Sequence, residues 1–137
     1  MTSLLNPYLS FRDEARAAME FYRDVFGGDL SLSTFGDFGA PASHRDLVMH
    51  AQLTTPSGYT LMASDSAPGV ERAVGENVAI SLSGDDPAEL RGYWDKLSSS
   101  GTTTLPLEKQ MWGDEFGMCV DRFGIHWYVN IAAGRDD

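Results

Sequence analysis

With 137 residues, 42% of them hydrophobic and 11% aromatic, the chain is sized for one compact domain with a real core, which excludes disorder. A formal net charge of −10 leaves no basic footprint for nucleic acid or an anionic membrane; it favours a cationic ligand, although acidity as a solubility device is the plainer account. No stretch approaches the roughly 18 apolar residues of a membrane helix, residues 1–5 lack the basic start of a signal peptide, and the single Cys119 cannot close an intrachain disulfide, so a cytoplasmic location is expected.

The first predicted strand covers residues 6–11 and runs into a helix over 13–26. Asp13 reads as its N-cap, Ala15, Ala18, Met19, Tyr22 and Phe26 recur at helical spacing, and Gly27-Gly28 stops it. Strands over 30–35, 47–53 and 59–64 follow, with a loop at 36–44 and a tight turn at Gly58. Residues 67–76 read as a linker. A strand over 78–83 then leads to a second helix over 87–97, where Asp86 is the N-cap, Pro87 takes the first helical position and Glu89 completes a capping box. Leu90, Tyr93, Trp94 and Leu97 form its buried stripe, and residues 98–101 end it. Strands over 102–105, 115–120 and 125–130 close the chain, with a turn at Gly124. The first strands align 72 residues apart and the hairpins 66 apart, which indicates a duplicated unit of about 70 residues. A ferredoxin-like pair would need a second helix in each unit, and residues 105–113, with Pro106 and Gly113, cannot supply one. The predicted class is therefore α+β, built from two βαβββ modules.

The opening NPYLSFRDEARAAMEFYRDVFGG, the arm VMHAQL, the strand LMASDS and the closing MWGDEFGMCVDRFGIHWYVN resemble the PhnB-like branch of the vicinal oxygen chelate superfamily, relatives of glyoxalase I and the bleomycin-resistance proteins. The resemblance spans residues 6–130, and Trp112-Gly113, Asp121, Gly124, Trp127 and Asn130 make it specific to the branch. It implies one glyoxalase-like domain over 1–137, with modules at about 4–66 and 77–132, a curled mixed sheet around a cavity, and a homodimer. Members of this branch are often labelled ubiquinone methyltransferase homologues, but no Gly-rich nucleotide turn follows a strand and opens a helix here. The superfamily binds a divalent metal with four side chains, two from the first strands of the modules and two from the last. Carried over, those positions fall on Asn6, Val78, Met62 and Tyr128, which offer neither carboxylate nor imidazole. No metal is expected there, and no other cofactor is indicated.

Strand parity supplies the remaining site candidates. Asn6, Tyr8 and Ser10 share one face of the first strand, and Thr60, Met62 and Ser64 one face of the fourth, opposite residues that back onto the helix. On the third strand His50 is expected to share its face with Val48 and Gln52, and on the last strand His126, Tyr128 and Asn130 oppose Trp127 and Val129. With Phe35, Trp112 and Tyr128 these residues outline an aromatic pocket bearing a few neutral polar groups, suited to a flat, amphipathic or cationic small molecule. Trp112 falls in a loop, where core filling explains it poorly. His50 is the candidate general base, since an imidazole titrates near neutrality, and a hydrogen-bonded structural histidine is the blander alternative. Asp65, Glu115, His44 and His126 repeat no metal-ligand spacing, and Cys119 reads as a buried, inert thiol. The loss of all four ligand identities favours a binding protein that sequesters a small compound; the alternatives are a metal-dependent lyase, isomerase or dioxygenase of the glyoxalase kind, and a metal-free enzyme using His50.

Overall fold

The computed structural model describes residues 3–66, 75 and 77–133. Apart from Gly75, the expected linker at 67–76 lies outside the described residues. The elements run β1 (Tyr8–Phe11), α1 (Ala15–Phe26), β2 (Asp29–Thr34), a single 3₁₀ turn (Gly36–Phe38), β3 (Val48–Thr54) and β4 (Thr60–Asp65), then β5 (Ile80–Gly84), α2 (Pro87–Ser99), β6 (Thr102–Lys109), β7 (Glu115–Val120) and β8 (His126–Ile131). They form two compact units, Met1–Val74 and Gly75–Asp137, each a four-stranded mixed sheet with one helix. The strand orders are β1-β4-β3-β2 and β5-β8-β7-β6, so each unit is the βαβββ module that the repeat predicts.

In the first unit β1 runs parallel to β4, which a crossover through α1 allows, and β4, β3 and β2 are antiparallel hairpin neighbours. Ala15, Ala18, Met19, Tyr22, Val25 and Phe26 form one apolar stripe of α1 and bury it against Leu9, Phe11, Ala51, Leu53, Leu61 and Ala63 on alternate strand positions. The helix starts two residues later than the sequence suggests, and Asp13 does not cap it. Glu14 holds the N-cap position without a side-chain bond, while the buried Asp65 carboxylate at the end of β4 accepts the Ala15 N–H at 2.9 Å and the Val48 N–H at 2.8 Å. A cap taken from 50 residues away along the chain is invisible to a local motif.

The second unit repeats the plan with β5 parallel to β8. Asp86 caps α2 as expected, accepting the Glu89 N–H at 3.2 Å with Pro87 in the first turn. Glu89 does not close the second half of the box; its Oε1 accepts the Tyr93 hydroxyl at 3.1 Å. Leu90, Trp94 and Leu97 pack on Leu82, Cys119, Trp127, Val129 and Ile131. β6 extends to Lys109, four residues beyond the predicted end, through Pro106. An edge strand tolerates proline because one row of its N–H groups needs no partner, and the β6–β7 register shifts around this stretch.

The duplication extends to single hydrogen bonds. The Thr55 and Asp121 N–H groups donate to the Tyr59 and Ile125 carbonyls, and the Gly58 and Gly124 N–H groups donate back to the Thr55 and Asp121 carbonyls. After each helix a glycine lies against the first arm of the hairpin that ends its unit: a Cβ on Gly28 would stand 2.2 Å from the Thr54 oxygen, and one on Gly101 2.1 Å from the Val120 oxygen. Matching turns make Met62 the counterpart of Tyr128. Met62 pairs with Tyr8 and Tyr128 with Ser81. The counterpart of Asn6 is therefore Ala79 rather than Val78, a one-residue correction to the alignment of the first strands.

Candidate functional site

Each helix covers one face of its sheet and leaves the other face to the alternate residues. In the first unit that open face carries Tyr8, Met62, Gln52 and Ser31 in one cross-strand row, with Ser10, Ser64, His50 and Ser33 beside it. The Tyr8 hydroxyl lies 3.4 Å from His50 Nδ1 and the two rings are 5.9 Å apart, so the structure brings these two candidates together. Asn6 is half-buried just ahead of β1, next to Pro7, whose carbonyl accepts the Met62 N–H at 3.1 Å. Val48 departs from the expected parity. The β2–β3 register shifts between Ser33 and Thr34, so Ser33 pairs with His50 but Thr34 with Val48, and this bulge turns Val48 into the core. Phe35 sits in the turn after β2, where its ring meets His44 edge to face at 6.0 Å.

In the second unit the open face carries Tyr128, Met118 and Leu105 in one row and Asn130, Phe116 and Glu108 in the next. Phe116 packs edge to face on Tyr128 at 5.6 Å, and Trp112 approaches Phe116 at 6.3 Å. Trp112 occupies the tip of the β6–β7 hairpin, which is closed by the Gln110 N–H on the Asp114 carbonyl and the Gly113 N–H on the Gln110 carbonyl. It is 59% exposed and Tyr128 38% exposed, so neither is a core filler. The Asp114 carboxylate accepts the Ala133 N–H at 2.9 Å and the Asn130 side-chain amide at 3.1 Å. The Ala133 bond first, and then the Asn130 bond, hold its carboxyl below the usual range. Phe116 and Asp114 were missed from the sequence. The alternation of Phe116, Met118 and Val120 against Gly117 and Cys119 was the available signal for Phe116, whereas nothing local marks the Asp114 partners.

Two acids that stand near strand ends have structural partners. Asp65 holds α1 and β3 together, and Asp121 accepts the Phe123 N–H (2.8 Å), the Ile125 N–H (3.1 Å) and the buried indole N–H of Trp127 (2.9 Å). Asp121, Gly124 and Trp127, signature residues of the branch, thus build a turn and its core anchor. Cys119 is buried, and burial first, with the Asp121 charge second, pushes its thiol up to about 11.

The superfamily's metal positions do not fit a hard cation. Asn6 offers a neutral amide, Met62 a soft thioether, Tyr128 a phenol, and Ala79 nothing at all. Among the described residues no three His, Cys, Asp or Glu side chains group to hold an ion. His50 lies on a face whose other polar groups are hydroxyls and an amide.

A family model described as 3-demethylubiquinone-9 3-methyltransferase matches residues 3–130. The crystal structure of protein PA1353 from Pseudomonas aeruginosa is similar with a TM-score of 0.87 and 36% identity, covering 97% of this chain and 100% of that one. The PhnB protein from Bacillus cereus gives a TM-score of 0.77 at 24% identity, over 95% of this chain and 100% of its own. A glyoxylase/bleomycin resistance protein/dioxygenase domain from Frankia sp. EAN1pec shares the fold at a TM-score of 0.63 and 15% identity, over 99% and 94% of the two chains.

Proposed function

This chain belongs to the 3-demethylubiquinone-9 3-methyltransferase family, in the PhnB-like branch of the glyoxalase/bleomycin-resistance superfamily, and from that membership we propose that it is a small-molecule-binding protein working without the superfamily's metal. The observation that carries this reading is the half-exposed aromatic group of Trp112, Phe116 and Tyr128 on a sheet face that no helix of its own unit covers. On the first unit's open face Tyr8 and His50 offer a hydroxyl and an imidazole to a polar group. Methyl transfer is not part of the proposal. The two strand-to-helix turns, Arg12-Asp13-Glu14 and Asp85-Asp86, carry carboxylates where a nucleotide cofactor needs a Gly-rich approach to a helix N-terminus. A homodimer in a reducing, cytoplasmic setting completes the reading.

The test is a thermal-shift screen of aromatic and amphipathic compounds, followed by titration of any hit against Trp112→Ala. Losing such an aromatic contact costs about 1 to 3 kcal/mol, roughly a 5- to 150-fold loss of affinity. A hit that binds Trp112→Ala and the parent equally well removes the aromatic group from the site, and a screen without hits counts against binding altogether. The Tyr8–His50 contact favours a second reading, metal-free proton transfer with His50 as base. Turnover that survives His50→Gln would end it.

A further inference from the structure

We infer that the open face of the second unit binds an organic cation, with Trp112, Phe116 and Tyr128 as an aromatic cage for a tertiary or quaternary ammonium group and the Asp114 carboxylate as its counter-charge. The inference rests on the binding reading above and names the ligand class. Three observations support it. The rings meet at 57° (Trp112 on Phe116) and 72° (Phe116 on Tyr128), so their faces turn in different directions instead of forming a parallel slot. Inclined π faces suit a compact cation, whereas a flat ring stacks best on one exposed face. Asp114 is fixed beside them: Asn130, whose amide donates to its Oδ2, is the cross-strand partner of Phe116, and the Ala133 N–H fixes its Oδ1. Both bonds favour the charged carboxylate. Among the described residues no lysine or arginine pairs with Asp114, while Arg91 is engaged by Glu115. A chain carrying a formal net charge of −10 adds a field that draws cations and repels anions.

The experiment compares choline with its neutral tert-butyl isostere on the full chain, following the indole N–H signals by NMR; the Trp112 signal is the one absent from Trp112→Phe. Choline is expected to shift the Trp112 signal and to bind about 5- to 30-fold tighter than the isostere. Tyr128→Ala and Trp112→Ala should abolish that preference. Asp114→Asn should weaken choline severalfold and leave the isostere unchanged, and if this variant loses its native spectrum, Asp114→Ser, which keeps a hydroxyl acceptor without the charge, takes its place with the same expected outcome. Equal affinity for the two probes overturns the cage and leaves the binding reading intact. Silence with both probes also overturns the cage, and the screen of neutral compounds then decides whether the binding reading falls with it. A change of oligomeric state in Trp112→Ala would make the patch a subunit interface and overturn the inference as well.

Discussion

Asp65 and Asp114 are both aspartates at the margin of a strand, yet they do opposite work. Asp65 is 4% exposed, and its two oxygens satisfy backbone donors of Ala15 and Val48, both fully buried residues. Asp65→Ala should therefore destabilise the protein by about 2 to 6 kcal/mol, since two buried donors lose their acceptor at roughly 1 to 3 kcal/mol each. Urea denaturation checks this, and Asp65→Asn should recover part of the loss. Cys119 gives the pH prediction at this scale. Its thiol is raised from 9.0 to about 11 in the folded state, so the native chain holds its proton more tightly than the unfolded one. The stabilisation is complete below pH 9 and is lost as pH rises towards 11. The urea midpoint should fall across that window, and less steeply in Cys119→Ala. Below it the thiol should react with a thiol reagent only after unfolding, and fast labelling of the native protein would contradict its burial.

Among the elements, the β6–β7 hairpin combines a closely packed base with an exposed tip. Its base is closed by a contact that the sequence does not display, the passage of Gly101 over the Val120 carbonyl. Gly101→Ala forces a methyl group into that oxygen and should cost about 1 to 3 kcal/mol by overpacking, read as a lower melting temperature. Trp112→Ala at the tip removes a side chain with little burial, so the melting temperature should barely change while ligand affinity falls. A large drop in stability would make Trp112 a packing residue. The two variants together separate the hairpin's structural end from its proposed binding end. β6 was legible only as far as Leu105, because Pro106 reads as a breaker until its strand is known to be an edge.

For the whole molecule, the family and the four metal positions lead to a compositional prediction. Protein purified without chelator should contain no stoichiometric zinc, nickel or iron dependent on Asn6, Met62, Ala79 or Tyr128. Elemental analysis giving about one metal per chain, lost on replacing one of these residues, would refute it; loss with His50→Ala would instead reveal a rebuilt site. Light scattering should give the mass of a homodimer, twice the 15.0 kDa chain. The association rate of a cationic ligand should fall as salt rises. A salt-independent rate would assign the −10 charge to solubility.

Periodicity by itself determined the two strand-helix-strand-strand-strand units, the apolar stripe of α1, that of α2 apart from Tyr93, which is only half-buried, and the faces of β1, β4 and β8, because these follow from the 3.6- and 2-residue repeats of the local backbone. Residue identity alone determines that Asn6, Met62 and Tyr128 offer neither carboxylate nor imidazole, since donor chemistry belongs to the side chain. What only the tertiary structure decided depends on partners distant in sequence: the capping of α1 by Asp65, the bulge that buries Val48 beside His50, the pairing that makes Ala79 the counterpart of Asn6, and the meeting of Asp114 with Asn130. A register slip of one residue changes the face of every side chain after it while leaving the hydrophobic pattern of the neighbouring strand untouched. Long-range hydrogen bonds fix that register, and through them the composition of the site.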